Sequence, residues 1–107
     1  MKIQLVKANE EATYTVTAYR TAVPELAVHR RLSHYGVPIK GCWDVTHIPT
    51  GLKITGFPIQ NRTLAKAFVD ELAHLNWSFD ASDVPKGNAY KIYGKAVREA
   101  RATIKAL

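Results

Sequence analysis

The stretch from residue 42 to residue 57 constrains the fold more tightly than any other. It holds two runs rich in β-branched and apolar side chains, residues 42–48 and 52–57, on either side of Pro49-Thr50-Gly51. Proline presets the angle that opens a turn and glycine accepts positive φ, so the pattern predicts an antiparallel hairpin. Successive side chains of a strand point to opposite faces. Trp43, Val45 and His47 therefore share one face, expected to meet the core together with Leu52 and Ile54. Cys42, Asp44, Thr46 and Ile48 share the other, and Lys53 and Thr55 are read as outward.

A lone hairpin is not stable in water, so the rest of the chain must cover it. Residues 3–6 read as a strand and residues 9–11 as a turn. Residues 13–20 then alternate, Tyr14, Val16 and Ala18 against Thr15, Thr17 and Tyr19. Pro24 suits a first helical turn, and Val28, Leu32 and Tyr35 follow at helical spacing, which predicts a helix over 24–35 closed by Gly36 and Pro38. Asn61 is a good N-cap for a helix carrying Leu64, Phe68, Leu72 and Leu75. Residues 78–87 form a polar connector, and a last helix runs over 88–107. The order ββ-α-ββ-α-α predicts an α+β fold, a four-stranded antiparallel sheet with helices packed on one face. At 107 residues the chain is read as a single domain, 1–107, large enough for one core.

Chemistry-bearing motifs are sparse. The single cysteine, Cys42, excludes an intrachain disulfide framework and fits a reducing compartment. No window has the length or apolarity of a signal peptide or membrane span, so a cytoplasmic protein is expected. Cys42 and His47 fall on opposite strand faces, which argues against a thiol site. His47 reads as a hydrogen-bonded structural histidine. On the expected first helix His29 and His34 diverge by roughly 140°, too far to clamp one ion. Neither a metal motif, a phosphate loop nor a nucleophile elbow is found, so no enzyme, metal or cofactor is expected.

Charge is distributed unevenly. The last 22 residues hold Lys86, Lys91, Lys95, Arg98, Arg101 and Lys105 against Glu99 alone, six positive minus one negative, or +5 of the net +6. At about 100° per residue, Lys91, Lys95, Arg98 and Lys105 fall within roughly 80° of each other and Arg101 flanks them. Ala89, Ile92, Tyr93, Ala96, Val97, Ala100, Ile104 and Leu107 take the opposite arc. One reading is a row of cations that docks on an anionic backbone and releases counterions. The other is the solvated side of a terminal helix. Arg30 and Lys53 are possible extensions of the patch. Tyr19 and Tyr90 are either stacking rings for a single strand or partly packed side chains.

From Trp43 onward, the run Trp-Asp-Val-Thr-His-Ile-Pro-Thr-Gly-Leu-Lys-Ile, then Gly56-Phe57 and a helix with Ala65, Ala67, Phe68 and Leu72, resembles the AP2-like arm-binding domains of phage and transposon integrases. That resemblance covers residues 43–75 and implies a sheet that enters a DNA groove, with Asp44, Thr46, Lys53 and Thr55 as readers. The sheet departs from the family in having Lys53 as its lone cation there. The chain also resembles small accessory proteins of phages and plasmids. The leading expectation is a non-enzymatic module that binds nucleic acid or a nucleoprotein. The alternative is a protein-protein inhibitor or adaptor of mobile-element origin, for example a phage inhibitor of a host defence nuclease such as an anti-CRISPR, whose basic face meets acidic protein. A homodimer through the last helix is a third expectation.

Overall fold

In the computed structural model residues 1–6 and 13–107 are described, and the turn expected at residues 9–11 lies outside them. Strands β1 (Lys2–Val6) and β2 (Thr13–Thr17) pair antiparallel as a two-stranded ribbon, with Ile3 opposite Val16. Strands β3 (Tyr19–Arg20), β4 (Leu26–Leu32), β5 (Pro38–His47) and β6 (Leu52–Lys53) form a four-stranded antiparallel sheet in chain order. Helices α1 (Arg62–Asp70) and α2 (Asn88–Lys105) complete the α+β fold.

Residues 26–32 are a strand, not the helix their spacing predicts. The reason is burial on both faces. Leu26 and Val28 pack on the helix side in the core of Val45, Phe68, Val69 and Leu72, while Ala27 packs under the ribbon with Ile3, Leu5, Val16 and Ala18. A strand buried on both sides loses the alternation that identifies half-buried strands. The register sets the pairing: Leu26 opposite His47, Val28 opposite Val45, Arg30 opposite Trp43. Beyond Arg30 it slips, so that Leu32 meets Pro38 where an unbroken ladder would give Gly41. Gly41 has φ +76, so glycine is needed where the extra residues of β5 bulge outward.

The ribbon also covers the hairpin face expected to point outward. Asp44, Thr46 and Thr55 are buried, and Leu52, expected in the core, is exposed. Trp43, Val45 and His47 do face the helix side, as pleat parity predicts, and Ile54 packs there too. Asn61 caps α1 as expected, its Oδ1 accepting from the Leu64 N–H at 2.8 Å. Phe68, fully buried, anchors α1 on the sheet; burying a ring of this kind stabilises by about 1.5–3 kcal/mol. α2 in turn docks beside α1 through Ala96, Ala100 and Ile104.

Candidate nucleic-acid interface

Helix α2 begins at Gly87, whose φ of +62 and ψ of −128 suit glycine alone among residues, and it carries no side-chain cap. Its docked face is narrower than the periodicity predicts. Tyr93, Ala96, Val97, Ala100 and Ile104 pack inward, but Ala89, Ile92 and Leu107 are exposed. Lys91, Lys95, Arg98, Arg101 and Lys105 all reach solvent on the other side. From Lys91 to Lys105 the row spans about 21 Å at 1.5 Å per residue. Glu99 borders it and, among the described residues, pairs only with Lys95, at 3.8 Å between two well-exposed side chains. Such a pair contributes little, and the row keeps its net positive charge. The Arg101 guanidinium lies 4.3 Å from the Phe57 ring centroid, a contact that holds the cation without neutralising it.

The two expected extensions sit elsewhere. Arg30 is on β4, not on a helix, and its guanidinium is 5.7 Å from the Trp43 ring centroid. Lys53 pairs across to Thr46 and its ammonium stands 3.8 Å from Asp44, while the residue also borders the cleft that Tyr90, Tyr93 and Val97 of α2 line. The residues assigned as readers by the integrase resemblance therefore do not present a free edge: Asp44, Thr46 and Thr55 are buried and Lys53 is ion-paired.

A second basic and aromatic group lies at the exposed end of the helix-side sheet face. Tyr19 is opposite Val28 and next to Trp43, their ring centroids 5.8 Å apart. Arg62, the first residue of α1, holds its guanidinium 4.4 Å from the Tyr19 ring centroid. Trp43 and Arg62 were not singled out from the sequence as binding residues. One signal was present: a cation in the first turn of a helix is disfavoured by the helix dipole, and α1 has no acid there to offset it. Tyr90, by contrast, is two-thirds exposed on α2 beside an apolar cleft of about 440 Å³ that it shares with Leu52, Ile54, Trp77 and Phe79.

The buried polar groups are structural. Asp44 accepts two hydrogen bonds from Arg31, Nε at 2.9 Å and Nη2 at 2.8 Å, and one from the Thr55 hydroxyl at 2.9 Å. The hydrogen bonds to Asp44 hold Arg31 above its ordinary pKa. His47 donates from Nε2 to the Trp77 carbonyl at 2.7 Å and stacks on Phe79. His29 lies buried on β4, with Nδ1 2.9 Å from the Arg30 carbonyl and Nε2 2.7 Å from the Thr46 hydroxyl. Burial pushes its pKa down. Burial also raises that of Tyr93, whose hydroxyl donates to the Asn76 carbonyl. Among the described residues no cluster of His, Cys, Asp or Glu is placed to hold a metal ion, and no helix is long and apolar enough to cross a membrane.

No protein-family model, curated protein or solved structure matches the chain. Its function is therefore read from its own chemistry.

Proposed function

We propose that the chain is a non-enzymatic module that acts in the cytoplasm and binds nucleic acid, bare or in a nucleoprotein, through the outer face of α2. The observation that carries this reading is the row Lys91, Lys95, Arg98, Arg101 and Lys105, exposed along one face of a helix in which Glu99 is the lone acid. Cations so arranged replace condensed counterions on a phosphate backbone. Five phosphate contacts imply that log K falls with log salt at a slope of about −4 to −5 on duplex DNA. The test is a salt titration of the parent and of a Lys91→Glu, Lys95→Glu, Arg98→Glu variant. The variant should lose most of its affinity and about three units of slope. A parent whose binding ignores salt, or that retards neither DNA nor RNA at low salt, overturns the proposal.

One observation favours a second reading, an inhibitor or adaptor that meets an acidic protein. The apolar cleft bordered by Tyr90 and Leu52 adjoins the basic row, and a protein partner would use both apolar area and charge. A stoichiometric protein captured from nuclease-treated lysate, with capture lost in Tyr90→Ser, supports this reading against the first.

A further inference from the structure

We propose that single-stranded nucleic acid crosses the sheet surface beyond the start of α1, with its bases on Tyr19 and Trp43 and its phosphates against Arg30 and Arg62. This rests on the nucleic-acid reading above and names the form of polymer that the molecule prefers.

Four elements build the surface. Tyr19 comes from β3, Arg30 from β4, Trp43 from β5 and Arg62 from α1. The pairings of Tyr19 with Val28 and of Arg30 with Trp43 put all three sheet residues on the helix side. Val28 and Val45 on that face are fully buried, whereas Tyr19 and Arg30 are exposed and Trp43 is half-buried. The two rings are inclined at 51° rather than stacked on one another, so neither uses up the other's face. A cleft of about 510 Å³ opens beside them, with Lys2 and Arg30 in its wall and, among the described residues, no acid lining it.

Two neighbouring rings flanked by two guanidinium groups match the needs of a single strand. Every base offers a π-face to an aromatic ring, and every linkage offers a phosphate to arginine. An exposed cation–π contact is weaker than a base stacked on an aromatic ring. Arg30 and Arg62 can therefore leave the rings to a base and turn to the phosphates beside it. A duplex keeps its bases paired inside and offers this surface nothing but charge.

The surface also continues into the row on α2. Trp43 exchanges both backbone hydrogen bonds with Ile59, at 2.7 and 3.0 Å. Ile59 and Phe57 in turn line a cleft of about 290 Å³ whose other wall carries Arg101 and Lys105. One strand lying along residues 57–62 meets the end of the row and the two rings in succession.

The experiment measures the 107-residue chain against labelled oligothymidine, oligouridine and a duplex, by anisotropy and by tryptophan fluorescence. Trp77 is buried, so quenching by a stacked base reports Trp43. Tyr19→Ala and Arg62→Ala alter exposed side chains, and either should weaken single-strand binding; Tyr19→Ala should do so by roughly tenfold and leave duplex affinity unchanged. Oligothymidine and oligouridine should both quench, and equal quenching assigns the surface to bases and phosphates rather than to the 2′-hydroxyl. The platform is overturned, with the α2 reading intact, if duplex and single strand bind alike and Trp43 is not quenched. It is also overturned if Tyr19→Ala weakens both polymers equally. If no polymer binds at low salt, both proposals fall. Should Tyr19→Ala not fold, Arg62→Ala and the parent's quenching decide.

Discussion

Asp44 shows what a single polar residue does in this sheet. Its side chain is 2% exposed and its oxygens receive Arg31, Thr55 and, at longer range, Lys53. A carboxylate so placed is tolerable only because its partners replace the water it lost. Removing it leaves the Arg31 guanidinium and the Thr55 hydroxyl without their acceptor. Asp44→Ala is expected to cost about 2–4 kcal/mol, below the range for a fully buried pair because Arg31 still reaches water. Urea unfolding measures this; a loss under about 1 kcal/mol contradicts the account. The sequence could not reveal the burial. Asp44, Thr46 and Thr55 are polar and alternate with apolar neighbours, which is the signature of a solvent face. Here that face is covered by the ribbon and satisfied from within.

At the scale of elements, what could be read depended on how many sides each element buries. α1 and α2 each bury one stripe, so their presence, the Asn61 cap and the basic row followed from periodicity, whereas α1 ends at Asp70, and Leu72 and Leu75, expected on it, lie beyond its end. β4 buries both faces, and its apolar spacing matches a helix although it forms a strand. The platform of Tyr19, Arg30, Trp43 and Arg62 escaped because its parts come from four elements, and no spacing along the chain joins them. α2 adds a prediction of its own. Gly87 opens the helix at φ +62, where a Cβ is strained although nothing lies within 4 Å of it. Gly87→Ala should therefore destabilise by about 1–3 kcal/mol through backbone strain alone. The check is the melting temperature with circular dichroism; an unchanged melt shows that the connector relaxes freely.

Across the whole molecule the sheet lies between two unlike layers, helices on one side and the ribbon on the other. The ribbon side is the more polar, and its stability responds to acid through His29. Burial lowers the folded pKa of His29 below its ordinary value of 6.5. The unfolded chain therefore binds the proton first, and the contribution of His29, complete above about pH 6.5, declines as the pH falls below that value. Thermal melts from pH 7.5 down to 5 should show this fall, and His29→Gln should flatten it. A variant that keeps the full acid sensitivity of the parent would assign the effect to other groups.

The small residues under α2 have a consequence for recognition. With Ala96 and Ala100 against its neighbours, the helix sits close to the body and has little room to roll or slide. Its outer cations are then fixed marks, repeated at about one per turn of 5.4 Å. A flexible tail with the same charges would adjust to any polyanion. On the proposed function this helix would serve as a ruler: a backbone whose phosphates keep step with its turns would meet the cations along its whole length, and one out of step only in part.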